Sequence, residues 1–311
     1  MTQAKELTSY VRSFFQALFK YKYLYLLLLP AVVWYILFCY MPMYGVIIAF
    51  KKYTFNGGIW GSPWIGLTHF RRAFSTQQFW IAVRNTLYIS VGRLVFVFPA
   101  PIILALLLNE VRINAFKRTI QTMLYLPHFV SWIVMAGIIA SLTTVNGGMI
   151  NKIVVYFGGQ ATSFLTKPEW FRPIVFISNI MKEMGWSAII YLAALAGIDP
   201  ELYEAAIVDG ASRWQRFIFV TWPMLLKTIS ITLILAMGNL MSGGFDQVFN
   251  LYNQAVFSVA DVIETYVYRQ TLIKADFSFG TAVGLFQSVI NCAILLTVNR
   301  IMKITTGNNL Y

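Results

Sequence analysis

Histidine and cysteine are nearly missing from this chain, whose 311 residues include only His69, His128, Cys39 and Cys292. Both cysteines fall in apolar runs, so neither a disulfide framework nor a metal site is expected. Charge is scarce as well: 12% of residues are charged, about half the share in an average soluble domain. There is no G-x-x-x-x-G-K-[ST] phosphate loop, no H-E-x-x-H helix and no G-x-S-x-G elbow. The chain is therefore expected to hold no cofactor and no catalytic residues, and any work it performs must draw on a partner or a gradient. No basic run with interleaved aromatics stands outside the apolar runs, which excludes a nucleic-acid footprint despite the net charge of +12. Dyad alternation is lacking, which discards a barrel. Internal repeats are lacking too, which leaves an inverted-repeat transporter unsupported.

What the chain has in abundance is apolar sequence, 58% of its residues. Runs long enough to cross a bilayer as helix occur at about 23–50, 79–108, 120–142, 173–198, 226–246 and 277–302. These predict an all-α membrane protein with six transmembrane helices and both termini on one side, embedded in lipid. With the N terminus inside, the inner segments carry 12 Lys and Arg against 9 in the outer ones, a small bias in favour of that orientation. Residues 1–22 space Leu7, Val11, Phe14, Phe15 and Leu18 as a helix on the membrane surface. The first run is too long for a cleaved signal peptide. Glycines and tryptophans between 51 and 78 predict a compact interfacial loop, and Pro99 with Pro101 predicts a kink in the second span.

Polar residues recur at helical spacing inside the later runs: Asn179, Lys182, Glu183 and Trp186; Asn239, Ser242, Gly243 and Asp246; Gly284, Gln287, Ser288 and Asn291. A charge at mid-bilayer costs about 2.5–3.5 kcal/mol, so these faces should look into a bundle or a watery cavity. They read either as a solute path or as helix-to-helix hydrogen bonding. Lys182 and Glu183 point about 100° apart on a helix, so each is expected to find its own partner. His128 and Trp132, one turn apart in the third run, either line the same space or pack. Trp132, Trp186 and Phe245 offer ring faces, and Asp246 and Asn250 polar groups, of the kinds a sugar needs.

The stretch Asp199 to Pro223 is the polar block between the fourth and fifth runs. Asp199 is an N-cap with Pro200 behind it, Gly210 a helix stop, and Ser212 with Gln215 a capping box. Pro223 is expected to end the second helix or open the next. Glu204-Ala205-Ala206, three residues, Gly210, nine residues, Val220, one residue and Trp222-Pro223 resembles the EAA signature of permease subunits of ATP-binding-cassette importers, with Val220 and Trp222 standing for Ile and Leu. The stretches Gly244–Leu272 and Met41–Thr54 are similar to the complex-oligosaccharide branch, the LplB or YteP type.

The resemblance implies the type I importer permease (MetI-like) fold with cytoplasmic termini, in a multi-pass protein of the bacterial inner, or cytoplasmic, membrane. Residues 1–22 would be a cytoplasmic segment, and 23–311 the permease domain with its coupling loop at about 199–223. It implies a second, different permease subunit, two ATPase subunits that bind ATP and Mg, and an extracytoplasmic solute-binding protein that delivers an oligosaccharide. Glu204, Ala205, Ala206, Asp209, Gly210 and Pro223 would form the ATPase-coupling element. The substrate pathway would take His128, Trp132, Asn179, Lys182, Glu183, Trp186, Asn239, Phe245, Asp246 and Asn250. Three cations within the runs, Arg84, Arg93 and Lys182, against Glu183 point to an acidic, uronate-containing solute. The rival is a gradient-driven secondary transporter with Glu183 and Asp246 as its ion site.

Overall fold

The computed structural model describes residues 20–306, so the surface helix expected over 1–22 lies outside the described residues up to residue 19. Among the described residues the backbone is helical with no strand, and Lys51 and Trp64 form one isolated β-bridge. Two compact units divide the chain, one ending at Leu67 and one beginning at Thr68.

In the first unit α1 (Lys22–Phe50) runs 29 residues, roughly 44 Å at helical rise. None of its side chains is buried before Ala49, as suits a helix with apolar surroundings. The loop that follows is compact, as its turn residues predict. Lys51 Nζ donates to the carbonyls of Ile59 and Trp60 at 2.8 and 3.0 Å, and the Trp64 ring stacks on Phe50.

The second unit contains α2 (Thr68–Ser75), α3 (Gln77–Glu110), α4 (Asn114–Phe129), α5 (Trp132–Thr143), α6 (Met149–Tyr156), α7 (Pro168–Ala196), α8 (Pro200–Val208), α9 (Arg213–Gly238), α10 (Phe245–Leu251), α11 (Ile263–Tyr268) and α12 (Phe277–Thr306). Among the described residues α1, α3, α9 and α12 are long and apolar enough to cross a membrane, and α4 with α5 makes a fifth if the pair is one broken span. The fourth apolar run becomes α7, 29 residues long but interrupted by Arg172, Lys182 and Glu183.

Two expected spans differ in the structure. The third does not run through 120–142: α4 and α5 meet at 104°. Pro127 lacks the N–H that would continue the ladder, Val130 is extended, and Ser131 starts a fresh helix by accepting from the Val134 N–H. The fifth starts and stops early. The helix ends at Gly238, and Gly244 holds a left-handed φ of 75° that only glycine adopts without strain. Asn239, Ser242, Gly243 and Asp246 therefore do not share one helix face.

Three of the helix prolines share a feature that Pro30 and Pro173, also inside helices, do not. A proline ring in a helix presses on the carbonyl four residues back, which is Phe38 for Pro42, Val95 for Pro99 and Phe219 for Pro223. Each of those residues is the middle of a π turn, Ile36–Tyr40, Arg93–Val97 and Phe217–Thr221. The widened turn makes room for the ring, so α1, α3 and α9 continue through their prolines. Pro223 accordingly neither ends a helix nor opens one, in contrast to the sequence expectation.

Side-chain amides glue the bundle. Gln287 donates to the Met241 carbonyl and Asn291 accepts from the Met241 N–H, both at 2.8 Å. These α12 residues clamp a backbone freed by the end of α9 and satisfy it without water. Asn85 does similar work between α3 and the Ser258 and Asp261 carbonyls. Three apolar clusters fill the rest, one of which joins Ile102 and Ala105 of α3, Ala188, Tyr191 and Leu195 of α7, and Leu225 of α9.

Candidate functional site

Three neighbouring cavities of about 600, 190 and 470 Å³ open within the second unit. Ser90, Arg93, Asn179, Glu183, Trp186, Asn239 and Ser242 are among the polar and aromatic residues that line the largest. Arg93 and Asn179 continue into the smallest, where Trp132, Phe245, Asp246 and Gln247 join them. Trp132 and Asp246 continue again into the third, with His128, Lys182 and Asn250. All ten residues named for the pathway from sequence thus line one of these spaces. Helical spacing is not what assembles them, since Asn239 and Asp246 arrive from separate elements.

The break between α4 and α5 is pinned to α7. His128 Nδ1 lies 2.7 Å from Glu183 Oε2, and its ring stacks in parallel on Trp186 at 4.5 Å between centroids. Lys182, buried, donates to the His128 carbonyl at 2.6 Å, a carbonyl left over where the helix breaks. Lys182 and Glu183 also pair with each other at 3.2 Å. Each thus finds its own partner on His128, as expected, and the two also meet each other: adjacent Cβ atoms diverge on a helix, but the four-carbon lysine stem swings back toward the carboxylate. His128 and Trp132 do line one space, though on opposite sides of a bend rather than on successive turns.

Arg93, Gln247, Ser90 and Ser242 are absent from the sequence-derived pathway. Gln247 Nε2 donates to the Val175 carbonyl and to Ser178 Oγ at 2.7 and 2.9 Å. Its Oε1 therefore faces Arg93 Nη2 and Asn179 Nδ2, at 2.7 and 3.1 Å. Ser90 Oγ donates to the Ser242 carbonyl, and Ser242 Oγ to Glu264. An arginine in mid-run and the Gly243-Gly244 pair were the visible signals.

The polar block after α7 folds as its caps dictate. Asp199 accepts from the Glu201 N–H at 3.0 Å, and α8 ends where Gly210, φ 76°, donates to the Ile207 carbonyl at 3.0 Å. Ser212 and Gln215 close the capping box. Glu204, Ala205, Asp209 and Gly210 are exposed and Ala206 half-buried, flanked by exposed Leu202, Ile207, Val208 and Trp214. Tyr203 on the opposite face packs with Val220 against the Ile102–Tyr191–Leu225 cluster, and its hydroxyl meets Thr221 at 2.9 Å. The arrangement is a short helix fastened on one side and presenting small and apolar groups on the other. Pro223 sits two residues past the π turn at the foot of α9.

The chain is 44% identical to the polygalacturonan/rhamnogalacturonan transport system permease protein YteP of Bacillus subtilis, across 92% of this chain and 89% of that one. It is 45% identical to Protein LplB of the same organism, across 94% and 92%. A crystal structure of a bacterial ABC transporter involved in the import of the acidic polysaccharide alginate contains a chain 39% identical, with a TM-score of 0.88, covering 94% of this chain and 99% of that chain. Residues 98–304 match the family model described as binding-protein-dependent transport system inner membrane component, and with these relatives matched along nearly their whole length, the chain belongs to that family of membrane permeases.

Proposed function

We propose that this chain is a permease subunit of an ATP-binding-cassette importer and forms half of the transmembrane pathway for an acidic, uronate-containing oligosaccharide. The observation that carries this reading is the connected set of polar and aromatic cavities around Arg93, Asn179, Trp132 and Asp246. Rings of this kind suit sugar faces, and the amide, acid and guanidinium groups suit hydroxyls and carboxylates. The names of the relatives, polygalacturonan/rhamnogalacturonan and alginate, support a uronate solute. His128, Trp132, Asn179, Lys182, Glu183, Trp186, Asn239, Phe245, Asp246 and Asn250 are the proposed path residues.

The other half of the pathway comes from a second, different permease. Two ATPase subunits bind ATP and Mg, and each permease's EAA helix docks in one of them; here Glu204, Ala205, Ala206, Asp209 and Gly210 of α8, braced by Pro223 in α9, are the coupling element. The family description supports delivery by a solute-binding protein. Residues 23–311 form the permease domain with six spans, α7 being the fourth and the α4–α5 pair the third. The ends of the chain, including the 1–22 segment, lie with α8 on the cytoplasmic side of the bacterial inner membrane.

The test is uptake of a uronate and a neutral oligosaccharide of equal length by the assembled importer, together with co-purification of the ATPase subunits with this chain. Uronate uptake that requires ATP is the expected result. Preference for the neutral sugar sinks the acidic assignment, and uptake that follows an ion gradient without any ATPase restores the secondary-transporter reading.

A further inference from the structure

Arg93 and Lys182 are the Lys and Arg side chains that line the three cavities, and among the described residues only Arg93 does so without an ion pair. Lys182 is neutralised by Glu183 at 3.2 Å. Arg84 is exposed and donates to the Ser258 carbonyl. Arg93 lines both the largest and the smallest cavity, and among the described residues it has no ion-pair partner. Its single hydrogen bond uses Nη2 on Gln247, while its buried Nε has no partner. The acid that acts on it, Glu264, lies beyond ion-pair distance; its Oε1 accepts from the Ser242 hydroxyl, and its buried Oε2 has no hydrogen-bond partner.

A guanidinium withdrawn from water without an acid beside it is costly to keep, and this one is held in a prepared seat. Gln247 is fixed through its amide nitrogen, so its carbonyl must face Arg93. Gly244 leaves the space: a Cβ there would run into the Arg93 guanidinium nitrogens. The π turn that makes room for the Pro99 ring begins at Arg93 and interrupts the regular ladder there. A planar fork held this way, with most of its donors unused, matches a planar carboxylate better than a hydroxyl.

We infer that Arg93 is the charge-selecting residue of the pathway and receives a uronate carboxylate of the passing oligosaccharide. The inference rests on the acidic-solute reading above. The Arg93–carboxylate pair replaces water around both groups during passage and dissolves when the chain of sugars moves on.

The experiment uses the complete importer, with one and the same binding protein and ATPase throughout, in proteoliposomes. Uptake of trigalacturonate is compared with that of its fully methyl-esterified form, and ATP hydrolysis is followed in parallel. Arg93→Gln should lower the ratio of acidic to esterified uptake by about tenfold to a hundredfold, the loss expected for one charge-assisted contact. Arg93→Lys, which keeps the charge but not the planar fork, should restore part of the ratio. An unchanged ratio in Arg93→Gln overturns the inference, as does a parallel loss of both uptakes, the sign of a merely structural arginine. Failure of lysine to restore any of the ratio overturns it as well. A wild-type importer without preference for the acid refutes the substrate reading itself, and that result is distinct from a wild-type preference that survives in Arg93→Gln.

Discussion

Gly210 offers a graded test of the proposed coupling, because the structure separates what each substitution there would cost. A Cβ at Gly210 meets nothing within 4 Å, so alanine suffers from backbone conformation alone. At φ 76° that penalty is about 1–2 kcal/mol. Asparagine, which tolerates the left-handed region, should suffer less. Proline is incompatible with the angle altogether, since its ring holds φ near −65°. It also removes the N–H that bonds the Ile207 carbonyl at 3.0 Å, worth about 0.5–1.5 kcal/mol. Even with only alanine's penalty counted for the angle, the sum for proline is at least about 1.5–3.5 kcal/mol, a shift of roughly tenfold to several hundredfold against the native cap. The damage is confined to an exposed turn, so the chain should still reach the membrane in normal amount. Sugar uptake and ATP hydrolysis are then measured together in proteoliposomes. The transported-to-hydrolysed ratio should fall in the order Gly, Asn, Ala, Pro, with Gly210→Pro uncoupled. A Gly210→Pro importer that keeps the wild-type ratio would refute both the coupling role of α8 and the reasoning from its cap.

Two further outcomes test the packing. Gly185 of α7 lies against the Leu124 backbone of α4, and a Cβ there would collide with the Leu124 carbonyl. Gly185→Ala should therefore cost about 1–3 kcal/mol of overpacking, read as a lower melting midpoint of the detergent-solubilised chain. An unchanged midpoint would mean that α4 and α7 can part without loss. Asp261, buried, accepts from both terminal guanidinium nitrogens of Arg269, Nη1 at 2.7 Å and Nη2. Burial works against the Arg269 charge, but the paired carboxylate outweighs it and raises the pKa. Arg269→Met strands the acid and should cost about 3–5 kcal/mol, seen in the same melt. Adding Asp261→Asn should recover part of the loss, and failure to recover it would argue that Arg269 acts through its stem.

The sequence made the inventory of the cavities legible but not their construction. Polar groups in an apolar chain must gather away from lipid, so naming Asn179, Asn239, Asp246 and Asn250 needed no knowledge of the fold. The helical spacing used to group Asn239 with Asp246 misplaced them, because the Gly243-Gly244 break outweighed a hydrophobic run that looked continuous. The 104° bend was written in Pro127 and Ser131, a stop and a cap, but run length alone pointed to one span. Arg93 was visible as a cation inside a run, but not as a pathway residue. Ser90 stands one turn before it, but its partner Gln247 is 154 positions away, a relation that no local pattern carries. The cap residues of α8 act within a few positions of one another, which is why that helix was legible almost residue by residue.

One helix meets every part of the site. Near its first third α7 receives Gln247 at Val175 and Ser178, and through Gln247 it fixes the Arg93 seat. At mid-length Lys182 and Glu183 hold the broken end of α4 through His128. Toward its C terminus Ala188, Tyr191 and Leu195 belong to the cluster on which Tyr203 of α8 rests. Tyr191 belongs to both sides of this scheme: its ring lines the largest cavity, and its hydroxyl reaches Thr232 of α9 at 2.9 Å. A close-packed cluster transmits displacement because it has no slack to absorb it. In the proposed mechanism a push on α8 therefore reaches the cavity as movement of α7 together with α9, while the irregular backbone at Phe217–Thr221 takes up the change of angle below them. The same links explain why α7 is less apolar than the other long helices. Its polar side chains are spent on the walls of the site, and a purely apolar α7 would have satisfied the bilayer while leaving Gln247, His128 and the path they build without support.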